Sequence, residues 1–132
     1  MEIAVELAGR SAIQLISIGG QLESNYLAFT GPKAVRFISE YNPDVAVISC
    51  KGIDMVRGAM DSSDSIAATK QAMIASARRV ILAADFGKFN RIAFSQLCSI
   101  NDIDCLVTDK DPGEEWKNYL EERGVECVYT AG

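Results

Sequence analysis

Short apolar runs alternate with stretches of helical period along most of this 132-residue chain. At the start, Ile3, Ala4 and Leu7 share one face of a helix that Gly9 stops. Residues 12–18 (AIQLISI) form an apolar run closed by Gly19-Gly20, which predicts a strand and a turn. Residues 21–30 show no decisive period and stay unassigned. Pro32 predicts the first turn of a helix with Val35, Phe37, Ile38 and Tyr41 on its apolar side, ending before Pro43. Residues 44–50 (DVAVISC) predict a buried strand. The N-capping residues of 62–65 then open a helix carrying Ile66, Lys70, Met73, Ile74 and Ala77, with Arg78-Arg79 in its last turn.

Residues 80–84 (VILAA) and 104–108 (DCLVT) predict two more strands, and residues 92–98 read as strand or turn. Asp111-Pro112-Gly113-Glu114 predicts a capping box with Pro at the first helical position. That helix runs through Trp116, Tyr119 and Leu120 to Gly124, a C-terminal glycine stop. Residues 125–129 (VECVY) close the chain as a strand. Strands alternating with helices at this spacing imply βαβ units, hence an α/β fold with a mostly parallel sheet and flanking helices, in one domain spanning residues 1–132. The opening helix has no strand before it, so a preceding strand is expected to lie outside this chain.

Composition narrows the functions. Hydrophobic residues make up 48% and charged residues 23%, the balance of a globular domain. No apolar run approaches the ~20 residues that span a bilayer, and residues 1–10 lack a basic signal-peptide start, so an intracellular, cytoplasmic protein without membrane contact is expected. A net charge of −5 with no basic run disfavours nucleic-acid binding by this segment. A small phosphate remains compatible, since a few lysines and backbone N–H groups can hold one. The four cysteines form no C-x-x-C pair and the chain has no histidine, so they read as free core thiols of a reducing compartment rather than as a metal site. Absence of histidine also excludes Ser-His and Cys-His nucleophilic catalysis. No G-x-G-x-x-G follows a strand and there is no P-loop, so no cofactor is expected. Carboxylate acid–base chemistry through Asp54 or Asp85 stays open.

In open parallel sheets ligands bind beyond the carboxyl ends of the strands. Four predicted strands in succession are followed there by glycine, lysine or aspartate: Gly19-Gly20, then Lys51-Gly52-Ile53-Asp54, then Asp85-Phe86-Gly87-Lys88, then Thr108-Asp109. Singly, each segment reads as a turn or a solvated charge. Together they predict a shared crevice in which Lys51, Lys70 and Lys88 supply charge, Gly19, Gly20 and Gly52 let backbone approach an oxyanion, and Asp54 and Asp85 accept from sugar hydroxyls.

Three segments carry a resemblance. Residues 50–54 (CKGID), 68–73 (ATKQAM) and 84–89 (ADFGKF), in this order, resemble the effector-sensing domain of the DeoR family of bacterial transcriptional repressors, and the likeness runs from Gly19-Gly20 to Asp109. The resemblance implies a Rossmann-like fold similar to sugar-phosphate isomerases and coenzyme A transferases. It also implies a phosphorylated sugar or related metabolite as effector, assembly as a homo-oligomer, and DNA contact only through a helix-turn-helix N-terminal to the sensor. The family reads Asp-x-Ser-Lys-Phe-Gly where this chain keeps Asp85, Lys88 and Phe89 but has Gly87 for the hydroxyl and Asn90 for the glycine. Where ribose-phosphate isomerases read Asp-Gly-Ala-Asp-Glu, this chain has Lys51, Gly52, Ile53, Asp54 and Met55.

The expected function is therefore a non-catalytic sensor domain of a sugar-metabolism repressor. A sugar-phosphate isomerase or deaminase relative is the alternative, and a pure oligomerisation module is a third. Because the family places a Gly/Thr-rich phosphate loop upstream of the residues matched here, this chain alone is expected to bind its effector weakly or not at all.

Overall fold

The computed structural model describes residues 1–131. Its elements are α1 (Glu2–Ala8), β1 (Gln21–Glu23), β2 (Ala28–Thr30), α2 (Pro32–Ser39), β3 (Val45–Ser49), β4 (Gly52–Asp54), β5 (Gly58–Asp61), α3 (Asp64–Ser76), β6 (Arg79–Ala83), β7 (Ser95–Cys98), β8 (Cys105–Thr108), α4 (Glu114–Glu122) and β9 (Glu126–Tyr129). Single 3-10 turns cover Phe86–Lys88 and Ile100–Asp102.

The apolar runs at 45–49, 79–83, 105–108 and 126–129 pair as a parallel sheet in the order β3-β6-β8-β9. Register brings Ile48, Leu82 and Leu106 side by side, and all three are buried. The order is monotonic, so right-handed crossovers carry every connection over the same face of the sheet. That face holds the core, where the sheet meets Ile53, Ala59 and Leu97 of a second sheet and Trp116 and Leu120 of α4. The opposite face presents Val45, Val47, Val107 and Val128 to solvent. The architecture is α/β and Rossmann-like, as the alternation of elements predicts.

Several expectations need correction. Residues 12–18 form no strand and are largely exposed, including Ile13, Leu15 and Ile16. An apolar run becomes a strand only where a neighbour offers its hydrogen-bonding edge, and among the described residues none pairs with it. Gly19-Gly20 therefore precede the β1–β2 hairpin instead of ending a sheet strand. Residues 52–61, for which the sequence pattern predicts no element, form the β4–β5 hairpin, which with β7 makes a three-stranded antiparallel sheet. Arg78-Arg79 do not end α3. The helix stops at Ser76, Ala77 turns extended, and Arg79 opens β6 with its N–H donating to Asp44 O (3.0 Å). Pro112 is not the first residue of α4 either. Gly113 is the N-cap, Asp111 accepts from the Gly113 N–H (2.9 Å), and Glu114 pairs with Lys117 (2.8 Å) rather than closing a capping box. Ser63 does cap α3, accepting from the Ile66 N–H (3.3 Å), and Gly124 takes the left-handed φ of +70° that ends α4.

The four cysteines are free thiols, Cys50 and Cys105 buried and Cys98 and Cys127 half-buried. Burial pushes the Cys50 thiol up to about 11 and the Cys98 thiol up to about 12. The fold thus favours their neutral form. Their contribution to stability is complete below the ordinary thiol range and is lost as pH rises from about 9 toward 11. A urea midpoint that falls over this interval, with a thiolate-directed reagent at pH 8 labelling Cys50 and Cys98 only on unfolding, is the expected outcome.

Candidate functional site

Chemistry concentrates where β3 and β6 end. After β3 the chain leaves the parallel sheet through Cys50 and Lys51 and enters β4; after β6 it passes through Asp85 into the 3-10 turn that carries Lys88. Between them opens a cleft of about 390 Å³ whose lining includes Tyr26, Lys51, Ser62, Lys88, Arg91 and Phe94. Its size suits a small metabolite. Three cations and no acidic side chain line it, in a chain whose net charge is −5.

Each cation is differently held. Lys51 donates its backbone N–H to Met60 O (2.9 Å) and lies 5.4 Å over the ring of Tyr26. Lys88 sits at 4.0 Å from Asp85, a loose pair that leaves its ammonium available. The Arg91 guanidinium has no hydrogen bond or ion pair among the described residues.

The backbone behind Arg91 is fixed on three sides. Phe89 is buried with its ring edge-on to Trp116 (5.0 Å between centroids), and it bridges to Ile53 of β4. Asn90 donates its N–H to Ile53 O (2.8 Å) and accepts from the Trp116 indole N–H (3.2 Å). Its φ is +59°, the left-handed region that asparagine tolerates better than most residues, so a position that suits glycine is filled without one. Gly52 completes the contact, since a Cβ there would stand 2.3 Å from Arg91 O.

Of the eight residues singled out in the sequence, Lys51 and Lys88 share the cleft. Gly52 lies behind it, holding Arg91. Gly20 (φ +133°) packs against Thr30 O and Ala34 beside a separate cleft of about 550 Å³ that contains a single cation, Lys33. Gly19 has open space where a side chain would be. Asp54 caps the β4–β5 turn, accepting from the Val56 and Arg57 N–H groups (both 2.8 Å). Those bonds hold its carboxyl below the usual range. Asp85 caps the 3-10 turn through the Gly87 N–H (2.9 Å). Lys70 is turned inward: its ammonium donates to Asp61 (2.5 Å), Ser49 O (2.8 Å) and Ser49 Oγ (3.3 Å). Gly20, Gly52, Asp54, Asp85 and Lys70 are thus engaged by partners within the fold, and Gly19 has no neighbour within 4 Å of an added side chain.

Ser62, Tyr26 and Arg91 of the cleft lining, and Asp61 behind it, are not among the residues singled out in the sequence. Asp61 is 1% exposed, pins Lys70, and accepts from the Ser62 N–H (2.8 Å), which sets Ser62 at the cleft wall. No local pattern announces a charge pair nine residues apart across a strand and a helix. Arg91 stands directly after the 85–90 stretch set against the family pattern. Asp109, at the end of β8, accepts from the Phe86 N–H (2.7 Å), which lowers its carboxyl and ties the third strand end to the 3-10 turn.

No group of three or more His, Cys, Asp or Glu residues suited to a metal ion occurs among the described residues, and no helix there is long and apolar enough to cross a membrane.

Comparison with known proteins adds the family. The DeoR C terminal sensor domain model matches residues 1–110. An uncharacterized HTH-type transcriptional regulator of Bacillus subtilis, YulB, is 35% identical over 128 residues, covering 97% of this chain and 50% of the relative. The HTH-type transcriptional repressor GlcR of the same organism is 30% identical over 98% of this chain and 50% of its own length. The L-fucose operon activator of Escherichia coli is 31% identical over 82% of this chain and 44% of its own. The chain spans about half the length of these relatives, which are named as regulators and not as enzymes.

Proposed function

This chain belongs to the DeoR C-terminal sensor-domain family, and from that membership we propose that it reads a small phosphorylated sugar or related metabolite in the cleft of Lys51, Lys88 and Arg91. The observation that carries the reading is the charge inversion: three cations line one cleft of an otherwise acidic chain. Phosphate is the ligand group with the most to gain there, being doubly charged near neutral pH and rich in acceptor oxygens. Ser62 and the face of Tyr26 suit the hydroxyls and carbons of a sugar. The cleft is open, so the domain alone binds weakly, with a dissociation constant on the order of 1 mM.

In the whole regulator, binding would bias this domain between states that a DNA-contacting part outside residues 1–132 reads, in a homo-oligomer. The relatives' HTH-type names and twofold length support the DNA-contacting part.

Titration calorimetry of the chain at low salt tests the ligand class. Ribose 5-phosphate should bind and ribose should not, and Lys88→Ala should weaken the phosphate ester at least about tenfold while leaving thermal stability unchanged. Equal binding of the two sugars, or an unaltered Lys88→Ala affinity, contradicts the reading.

A further inference from the structure

We propose that Arg91 is the residue that grips the anionic group of the ligand, through the two-pronged face of its guanidinium, while Lys51 and Lys88 contribute charge. The inference rests on the cleft being the ligand site, and adds which group recognises the anion and how that group is held.

Four observations lead to it. Arg91 lines the cleft with an exposed side chain that makes no hydrogen bond or ion pair among the described residues. Its two companions have charged or aromatic neighbours that it lacks, Lys51 lying over the Tyr26 ring and Lys88 standing 4.0 Å from Asp85 in a loose pair. The backbone that presents Arg91 is held by the Asn90–Ile53 hydrogen bond, by the Trp116–Asn90 hydrogen bond and by the Gly52 contact. A fixed backbone beneath an unengaged guanidinium reduces the ordering cost of binding. Finally, the guanidinium offers paired N–H groups matched in spacing to two oxygens of one phosphoryl group, whereas a lysine offers a point charge on a flexible stem.

This arrangement also gives Gly52 a purpose unlike the one its sequence suggests. The glycine brings β4 against the carbonyl of Arg91, and so sets the position from which the side chain reaches the cleft. The ligand need not approach the glycine at all.

The test compares Arg91→Lys with Arg91→Gln, titrated with ribose 5-phosphate beside the wild-type chain and Lys88→Ala. Arg91→Lys keeps the charge and loses the fork. Both Arg91 variants should bind about tenfold more weakly than wild type with unchanged melting temperature, as the side chain is exposed. In the wild type, the Arg91 Nε–H resonance should move on addition of the phosphate ester. An Arg91→Lys variant that binds like wild type overturns the proposal, because charge alone would then suffice; so does a stationary Nε–H signal during saturable binding. If Lys88→Ala weakens binding while both Arg91 variants do not, the cleft remains the ligand site and only the role of Arg91 falls. If the wild-type chain binds no phosphate ester, both fall.

Discussion

Lys70→Met should destabilise the domain by about 3–5 kcal/mol, the range for breaking a buried ion pair by removing one partner. Asp61 is 1% exposed and meets the Lys70 ammonium at 2.5 Å. Without it the carboxylate keeps only the Ser62 N–H and hydroxyl as donors, in a place that water does not reach freely. The same ammonium holds Ser49 O and Ser49 Oγ, so the end of β3 loses its tie to α3 as well. Since a domain of this size has only about 5–15 kcal/mol in hand, a large share of its stability would go. Urea unfolding measures the loss. Replacing both partners, as Lys70→Met with Asp61→Leu, should recover much of it, because the cost lies in the stranded charge. A single variant as stable as wild type would mean that Asp61 finds another partner.

Gly52→Ala should cost about 1–3 kcal/mol, the usual range for an overpacked core position. The added Cβ would stand 2.3 Å from Arg91 O, 2.9 Å from its carbonyl carbon and 3.5 Å from Ala93 N, all backbone atoms. None can swing aside as a side-chain tip does. Relief requires residues 90–93 to move, against the Asn90–Ile53 and Trp116–Asn90 hydrogen bonds. The variant should therefore lose ribose 5-phosphate affinity along with stability, even under conditions where it stays folded. Gly19→Ala is the control: with nothing within 4 Å of the new methyl group, it should change the urea midpoint little.

The parallel sheet was legible because its strands are short, apolar and β-branched, and the helices between them carry caps and glycine stops that act locally. Ser63, Pro32 and Gly124 did what their residue types predict. Three of the errors share one cause: they depend on partners distant in sequence. Residues 12–18 have the composition of a strand without a paired edge. The β4 strand has only three residues, Gly52, Ile53 and Asp54, and is defined by pairing with β5 and not by any run of its own. Lys70 looks like an exposed helical lysine until the fold places Asp61 and Ser49 beside it.

The site was legible at the same level. Lys51 and Lys88, singled out because they lie in the segments that follow β3 and β6, do line one cleft, which is as far as the strand-end rule carries. Asp54 and Asp85 cap their own turns, a role whose local sequence is the same as that of a carboxylate awaiting a sugar hydroxyl. Asn90, where the resembled pattern reads glycine, itself takes a left-handed φ of +59°, and in that conformation its N–H meets Ile53 O beside Arg91.

The central claim is a location: the cleft between the ends of β3 and β6 receives a phosphorylated ligand. Amide chemical-shift mapping of the labelled chain during titration with ribose 5-phosphate tests it most directly. Saturable shifts confined to residues 26, 51–52, 62 and 88–94 are predicted, with ribose producing none. Shifts centred instead on Gly20, Gly31 and Lys33 at the neighbouring cleft, or no saturable shifts from any phosphate ester, would contradict it.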